Sequence, residues 1–449
     1  MSSSRDRRRF FLGAFGEPGH AFPMLALGAR LAERGHEVTF ETWSRWRSDV
    51  EGAGMRFLPA PEYPLFGGGA GMGTEMYEAV VLATAETRRA VAELRPDAIV
   101  HDILTLAPAM AGELQGIPVA TLVPHLYPVG GGGFPPYAIG ARFPRTRLGR
   151  AAWDALALAT KSGLRQGREE LNATRAKLGL APLERFHGGL SERLCLVGTF
   201  PQLEYPRLWP AGVRVVGPLM WEPPFEFVEP PPGSEPLVLV APSTAQDPEH
   251  RLLRAALAGL GELPIRVLAT WNRRPLPADE PVAVPDNTRL VEWVSYAKTM
   301  PSCALVICHA GHGTMARALA CGCPVLAVPH VGDMAENAAR ADWAGMGVRL
   351  PWRLLGPGTL RLAVQRALSE AMLTARSREL AAWAATHDGA SRAADLVEAL
   401  AGQASRCSRT NSISSGASPA TTSIGSPEQL HSSTTARSSV TSSARQIAP

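Results

Sequence analysis

The strongest constraint on the fold is a repeated alternation of short apolar runs with longer stretches of helical periodicity. A short apolar run between helices is typical of a strand that is buried on both faces of a parallel sheet. One series of such runs extends from residue 10 to residue 216, and a second extends from residue 237 to residue 350, with helical sequence continuing to about residue 400. The sequence therefore predicts an α/β protein with two tandem Rossmann-like, doubly wound domains.

A proline-rich segment separates the two series. Proline removes a backbone donor and fixes φ, so such a run continues neither a helix nor a central strand. We therefore predict an N-terminal domain over residues 1–216, a linker over 217–236 and a C-terminal domain over 237–402. Open α/β sheets bind ligands at the carboxyl ends of their strands, so two facing domains are expected to hold a ligand in the cleft between them.

Residues 403–449 differ in composition from the rest of the chain. Of these 47 residues 20 are Ser or Thr and none is aromatic, so we predict a disordered tail. The tail carries +3 of the formal net charge of +4, and the remainder is close to neutral. A neutral body argues against a nucleic-acid-binding protein and against a polybasic membrane anchor.

Hydropathy and cysteine usage indicate a protein of the reducing cytoplasm. No window reaches the roughly 18 uninterrupted apolar residues that a transmembrane helix needs. The six cysteines are too few for a disulfide scaffold, and their spacing lacks the paired C-x2-C knuckles of a zinc site. We interpret them as free thiols that fill apolar space, and we expect a monomer or a homodimer.

Two polar residues of the first series follow predicted strands. His20 comes after the first strand, and Asp102 ends another. A near-neutral imidazole can accept a proton from an alcohol when a carboxylate orients the ring and stabilises the imidazolium. The alternative is structural: His20 is an early residue of a helix and Asp102 is a helix N-cap.

The second series contains a strand that enters a small-residue turn at residues 309–314, of sequence His-Ala-Gly-His-Gly-Thr. Gly311 and Gly313 let backbone N–H groups approach an anion, and the helix that follows adds the positive end of its dipole. His309 and Thr314 add side-chain donors. This turn is therefore a candidate diphosphate-binding site.

Two further side chains follow neighbouring predicted strands of the same domain. Trp293 precedes the turn, where its indole could stack on a nucleobase, although a lone tryptophan is more often part of a core. Asp333 follows the next strand, where its carboxylate could accept hydrogen bonds from sugar hydroxyls. Three consecutive strand ends of one domain thus carry groups suited to a nucleotide sugar.

The order and spacing of these motifs resemble the nucleotide-diphosphate-sugar-dependent glycosyltransferases of family 1, which have the GT-B fold, and in particular the bacterial macrolide and antibiotic type. At the N-terminal end residues 19–23 and 31–40 are similar to the family patterns G-H-x-x-P and L-A-x-R-G-H-x-V-T-F. At the C-terminal end the similarity extends from residue 293 to residue 347. The resemblance covers essentially residues 8–400.

The resemblance implies a role for each matching position. His20 would be the general base that deprotonates the acceptor hydroxyl, and Asp102 would be its partner. The donor-binding positions would be Trp293 for the base, His309, Gly311, Gly313 and Thr314 for the diphosphate, and Asp333 for the sugar. Ser243 or Thr244 matches the family's phosphate contact loosely, because Ala241-Pro242 replaces the usual glycine. Members invert the anomeric configuration and need neither a metal nor another cofactor.

Some positions depart from the family pattern. Arg317 stands where many uridine-sugar enzymes have a glutamate that binds the ribose hydroxyls, Ser295-Tyr296 replaces the usual Pro-Gln or Pro-His, and Met334 replaces a glutamine. Loss of the ribose carboxylate is compatible with a dTDP sugar, whose pentose lacks the 2′-hydroxyl. The donor is therefore expected to be a UDP or a dTDP sugar.

The resemblance implies an inverting hexosyltransferase of secondary metabolism, including antibiotic biosynthesis. It would move a hexose or deoxyhexose to a hydroxyl of a lipophilic small molecule, such as a macrolide or a flavonoid-like natural product. The alternatives are a transferase acting on a lipid or cell-envelope precursor and a non-catalytic GT-B helper protein. The candidate acceptor-binding residues, which could equally serve packing, are Tyr63, Phe66, Phe134 and Tyr137.

Overall fold

The computed structural model describes residues 7–60, 72–185, 189–243, 246–274, 276 and 282–414, and it describes side chains in these ranges except at 72–78, 159–162 and 404–414. Two parallel sheets form in chain order, as the alternation of apolar runs predicts. Tyr63, Phe66 and Thr244 lie outside the described residues. So do residues 415–449, and disorder there stays a prediction.

The first sheet has seven parallel strands in the order β3-β2-β1-β4-β5-β6-β7. Their short, mostly buried segments agree with strands covered by helices on both faces. The strands are β1 (Arg9–Gly13), β2 (Glu37–Thr42), β3 (Arg56–Pro59), β4 (Ala98–Asp102), β5 (Val119–Val123), β6 (Cys195–Val197) and β7 (Val213–Val215), and the helices are α1 (Pro18–Glu33), α2 (Arg47–Gly52), α3 (Met72–Leu94), α4 (Leu106–Leu114) and α5 (Arg147–Lys177).

The second sheet has six parallel strands in the order β10-β9-β8-β11-β12-β13. Its strands are β8 (Leu237–Ala241), β9 (Arg266–Thr270), β10 (Thr288–Val291), β11 (Leu305–Cys308), β12 (Val325–Ala327) and β13 (Gly347–Arg349), and its helices are α6 (Arg251–Leu260), α7 (Tyr296–Thr299), α8 (His312–Ala320), α9 (Met334–Trp343) and α10 (Pro357–Ser369). Two doubly wound α/β sheets in tandem confirm the predicted fold class. Helices α11 (Ala371–Thr386) and α12 (Gly389–Ser414) follow.

Helix α12 packs on the first sheet, although it follows the second in the chain. Ala393, Ala394 and Val397 belong to the same buried cluster as Phe10 and Leu12 of β1. Residues three and four apart lie on one helix face, so these small side chains form a surface that fits closely over the sheet. The domain limits predicted from the sequence placed this segment with the C-terminal domain, because chain order does not reveal which sheet a helix covers. The helix also continues through Ser414, beyond residue 403 where composition placed the start of the tail.

The cysteines with described side chains are free thiols. Cys308 is buried in β11, and burial raises the pKa of its thiol to about 11. A thiol in such surroundings is a poor nucleophile and packs as a small apolar group. Among the helices of the described ranges, none combines the length and the apolar character needed to cross a bilayer.

Candidate active site

The structure brings His20 and Asp102 together at the carboxyl edge of the first sheet. β1 pairs with β4, with Gly13 opposite His101, so the segments that leave these two strands are adjacent. Helix α1 begins with Pro18, which places His20 in its first turn. His20 Nδ1 lies 2.7 Å from Asp102 Oδ1. The two residues that the sequence analysis selected therefore form one hydrogen-bonded pair.

The Asp102 carboxylate is fully buried and held by the backbone. Its Oδ2 accepts hydrogen bonds from the N–H of Leu104 at 3.3 Å and of Phe15 at 3.5 Å. The N-cap of α4 is Thr105, so Asp102 is not the helix cap of the structural alternative. With an acceptor-only carboxylate at Nδ1, the proton of a neutral His20 sits on Nδ1, and Nε2 is left as the proton acceptor.

The electrostatic surroundings favour a positive charge on His20. Burial by itself lowers its pKa, but the charge of Asp102 and the hydrogen bond to it outweigh burial, with smaller contributions from Asp333 and Glu17, so the pKa of His20 is raised. An imidazole that gains stability on protonation is suited to accept a proton from an alcohol. The side chain of His20 is 17 % exposed, which leaves it accessible to a ligand.

Asp333 reaches the same region from the second domain. It immediately precedes α9, and its Oδ2 accepts a hydrogen bond of 3.0 Å from Asn337 Nδ2, which also donates to the carbonyl of Ala310 at 2.9 Å. Asp333 is near enough for its charge to raise the pKa of His20. The proposed sugar-binding carboxylate and the proposed base are more than 300 positions apart in the chain, yet they are close enough in space for their charges to interact.

His125, which follows β5, is a further residue of this region that no sequence motif indicated. Its ring centroid lies 6.2 Å from that of His20, and its Nδ1 lies 2.8 Å from the carbonyl oxygen of Leu126. Burial lowers the pKa of His125, and the neighbouring His20 lowers it further, which keeps it neutral. Its position one residue after Pro124, beyond a buried strand, is the same type of signal that singled out Asp102.

The predicted acceptor residues with described side chains differ in position. The hydroxyl of Tyr137 lies 3.2 Å from His125 Nδ1, so Tyr137 adjoins the His20 region. Phe134 is 7 % exposed and packs edge-on against Phe143 and Tyr205, at 5.3 and 5.6 Å between centroids. This environment fits the alternative that Phe134 packs within the protein and does not contact an acceptor.

The small-residue turn before α8 presents open backbone. Gly311 is the N-cap residue of α8, and Ala310 before it has a φ of 61°. A Cβ added at Gly311 or Gly313 would meet no heavy atom within 4 Å. Space above the first turn of a helix gives an anion access to N–H groups and to the positive end of the dipole.

His309 is engaged within the protein. Its Nδ1 accepts a hydrogen bond of 2.9 Å from the N–H of Ser243, and its Nε2 lies 3.3 Å from Asp247 Oδ2. Burial alone would raise the pKa of Asp247, but His309 and the amides of Leu252 and Arg251 lower it. In this arrangement the ring supports the loop after β8, and the amide of Ser243 is already committed. The phosphate contacts expected of His309 and Ser243 stay predictions.

His312, the first residue of α8, connects the two domains. Its Nε2 lies 2.9 Å from Oγ1 of Thr199, in the loop after β6. Burial lowers the pKa of His312 to about 3, and His125 lowers it as well, so the ring is neutral near pH 7. The start of the candidate anion-binding turn is thus joined to the loop after β6 by a neutral hydrogen bond.

Trp293 belongs to a cluster of rings and one guanidinium. It stacks on Tyr296 with centroids 6.0 Å apart and 17° between planes, and Phe225 lies 6.0 Å away. The guanidinium of Arg273 lies 4.9 Å from the centroid of Trp293. The stacking of Tyr296, only three residues along the chain, and the approach of Arg273 from another segment were not anticipated. Stacking of Trp293 on a nucleobase stays a prediction.

The linker supplies a carboxylate beside Arg317. Glu222 accepts hydrogen bonds from Ser295 Oγ at 2.6 Å and from the N–H of Ala297 at 3.1 Å, and its Oε2 lies 3.7 Å from Arg317 Nε. Arg317 stands at the position where many uridine-sugar enzymes have a glutamate, and it pairs with Glu222 from another segment. Sequence spacing could not reveal this pair, because it is made by a long-range contact.

Comparisons with known proteins agree with this architecture. A family model described as the C-terminal domain of erythromycin biosynthesis protein CIII-like proteins matches residues 254–400. The chain is 29 % identical over 414 residues to 4'-demethylrebeccamycin synthase from Lentzea aerocolonigenes, covering 85 % of this chain and 97 % of that protein.

Two solved structures of low sequence identity share the fold. The calicheamicin glycosyltransferase CalG4 superposes with a TM-score of 0.70 at 22 % identity, over 89 % of this chain and 99 % of the other. The glycosyltransferase VinC, solved in complex with dTDP, gives 0.66 at 19 % identity, over 88 % of this chain and 100 % of the other. The fold is therefore GT-B. These matches confirm the resemblance, seen in the sequence, to the family 1 glycosyltransferases of the bacterial antibiotic type.

Proposed function

We propose that the protein is an inverting glycosyltransferase that moves a hexose or deoxyhexose from a nucleoside diphosphate sugar to a hydroxyl group of a lipophilic small molecule. The observation that carries the proposal is the 2.7 Å pair of His20 and Asp102, which lies within electrostatic range of Asp333 of the second domain. A base on one domain and a sugar-binding carboxylate on the other are the parts that such a transfer requires. A helper protein without catalytic activity has no need of this pair.

The proposed reaction is a single displacement. The acceptor oxygen forms a bond to the anomeric carbon while its proton moves to His20 Nε2. The bond between the anomeric carbon and the diphosphate oxygen breaks, and its electron pair leaves with the diphosphate. Asp102 stabilises the imidazolium, and the first turn of α8 stabilises the charge that develops on the leaving group. Attack opposite the leaving group inverts the anomeric configuration. The reaction as proposed needs no metal.

We propose a dTDP sugar as the donor. Arg317 at the position of the family's ribose-binding glutamate is compatible with a pentose that lacks the 2′-hydroxyl, and VinC was solved with dTDP. We expect dTDP to raise the unfolding temperature more than UDP does at equal concentration. A ligand at 100 times its Kd stabilises the folded protein by about 2.7 kcal/mol, so the tighter ligand gives the larger shift. The measurement is a thermal-shift titration with both nucleotides. The Glu222→Gln variant, which changes the carboxylate next to Arg317, is titrated in the same way. Equal shifts, or a larger shift with UDP, would contradict the dTDP assignment.

The transfer itself is tested with a panel of acceptors. The protein is incubated with dTDP-glucose or UDP-glucose and with planar aromatic and macrocyclic aglycones that carry free hydroxyls, and glycosylated product is followed by mass spectrometry. We expect product with the anomeric configuration inverted. Product only with a polyprenyl phosphate or a phenolic lipid would favour the lipid-precursor alternative. Absence of both sugar hydrolysis and transfer would favour the helper protein. The proposed setting is cytoplasmic secondary metabolism.

A further inference from the structure

A buried ion network joins the donor side of the cleft to the acceptor side. We propose that Arg340 is a positioning residue: it holds the end of α9 that presents Asp333 in a fixed relation to the loop that carries His125. The inference rests on the proposed function, because it concerns how the two substrates are aligned. The contacts of this network extend from α9 across the domain boundary to the neighbourhood of His20.

Arg340 lies in α9, seven residues after Asp333 and three after Asn337. Asn337 donates to Asp333, so the start of the helix and the sugar-binding carboxylate form one unit. Arg340 Nε donates to Glu336 Oε1 at 2.8 Å, on the preceding turn. The guanidinium is therefore anchored to the same helix as Asp333, and a displacement of one displaces the other.

The same guanidinium crosses to the first domain. Arg340 Nη1 donates to Glu204 Oε2 at 2.7 Å and to the carbonyl of Leu203 at 3.4 Å. The ring of Tyr205 lies 3.9 Å from the guanidinium carbon. Arg340 is 2 % exposed and Glu204 is 6 % exposed, so solvent screens this contact little.

Glu204 also binds the loop on the acceptor side. Its Oε1 accepts a hydrogen bond of 2.7 Å from the N–H of Tyr127, two residues beyond His125 in the loop after β5. This one carboxylate therefore binds a loop of the first domain through Oε1 and Arg340 of the second domain through Oε2. The loop that it holds is the one that brings His125 within 6.2 Å of His20.

Tyr205 strengthens the same connection through its ring. It packs edge-on against Trp343 of α9, with centroids 5.0 Å apart, and stacks on Phe143 at 5.1 Å. Further along this interface the side chain of Arg349 donates to the carbonyl of Gly140, and Arg142 pairs with Asp342. The loop between β5 and α5 thus contacts the second domain at several points. In the Arg340–Glu204 pair the arginine lies seven residues after Asp333, and the carboxylate also binds the N–H of Tyr127, two residues after His125.

The charges explain why this geometry is well defined. Glu204 and Glu336 bring two negative charges into a buried site, and Arg340 together with Arg207, which lies 3.5 Å from Glu204 Oε2, balances them. A buried ion pair is retained only when its hydrogen bonds are well aligned, because an unpaired buried charge is costly. A shift of α9 relative to the loop would break this alignment, so the network favours a single relative position.

The test measures how turnover divides between transfer and hydrolysis of dTDP-glucose. Released dTDP reports total turnover, and glycosylated acceptor, using the best substrate of the panel, reports transfer. We expect Arg340→Met to lower the transfer-to-hydrolysis ratio on the order of tenfold, since misplacement of reactants by about 1 Å has effects of this size or larger. Arg340→Lys keeps the positive charge but loses the planar guanidinium with its several donors, so it should lower this ratio less. A ratio taken within one reaction does not depend on how much of the protein is folded.

The matched control is Arg175→Met. Arg175 forms a two-point ion pair with Glu113, at 2.8 and 2.6 Å, entirely within the first domain. Loss of this pair should lower stability and leave the ratio unchanged. If Arg340→Met does not fold, Glu204→Gln, which keeps the size of the side chain, decides the question.

A folded Arg340→Met or Glu204→Gln protein with the wild-type ratio would overturn the inference alone. A wild-type protein that neither hydrolyses nor transfers the sugar would overturn the proposed function and this inference with it.

Discussion

Replacement of His20 by alanine is expected to lower the rate of sugar transfer by about 10²–10⁴-fold, the usual contribution of a positioned general base. The acceptor hydroxyl would then have to lose its proton to water. The affinity for dTDP should stay unchanged, since the residues proposed to bind the nucleotide follow strands of the second sheet. The measurement is the steady-state transfer rate together with dTDP affinity from calorimetry.

A matched control for this variant lies in the same domain. His36 forms a comparable pair with Glu398, at 3.1 Å between Nε2 and Oε1, but it lies where α12 packs on the first sheet. His36→Ala should lower the unfolding temperature and leave the transfer rate of the folded protein near the wild-type value. If His20→Ala transferred sugar at the wild-type rate to every acceptor of the panel, His20 would not be the base.

Replacement of Asp102 by asparagine should have the second large effect, a loss of the same order as for a misoriented catalytic histidine, about 10²–10⁴-fold. The asparagine amide can donate to His20 Nδ1, which moves the imidazole proton to Nε2, the atom that must accept. The variant also removes the negative charge that raises the pKa of His20. Both consequences follow from one change of atom at the carboxylate.

The pH dependence has a defined sign. His20 acts as a base when it is neutral, so wild-type transfer should rise as pH increases through its raised pKa. In Asp102→Asn the pKa of His20 falls, and the rising limb of the residual rate should move to lower pH. Stability follows the same linkage: the contribution of the His20–Asp102 pair is fully present below the unfolded pKa of histidine and is lost as pH rises through the raised folded value.

A second carboxylate of the first sheet provides the comparison. Asp97 accepts a hydrogen bond from the N–H of Arg9 at 2.8 Å, before the start of β4 and at the opposite edge of the sheet. Asp97→Asn should leave the position of the rising limb unchanged. An Asp102→Asn profile that coincides with the wild-type profile would show that Asp102 does not set the pKa of the catalytic group.

The fold was predictable because its signal is local. Each strand of a doubly wound sheet is a short apolar run, and each helix that covers it has its own periodicity, so the alternation can be read without knowledge of contacts. The placement of His20, Asp102 and Asp333 was predictable for a related reason, while their roles stay predictions. Each lies at or beyond the carboxyl end of a strand, and the carboxyl ends of parallel strands meet at one edge of their sheet.

The remaining features depend on contacts between distant segments. Glu222 comes from a proline-rich linker that offers no motif, yet it pairs with Arg317 and Ser295. Arg273, from another segment, has its guanidinium 4.9 Å from the ring centroid of Trp293. No spacing rule connects residues that meet only after the domains have packed.

The amino-acid sequence by itself determined two parallel α/β sheets and the strand ends at which chemistry is placed, because burial of each short apolar run is a property of that run and its flanking residues. Tertiary structure alone decided that α12 covers the first sheet, that His309 supports a loop, and that Arg340 joins α9 to the His125 loop. These outcomes depend on which surfaces meet and which buried charges find partners. Such long-range terms are absent from any local pattern.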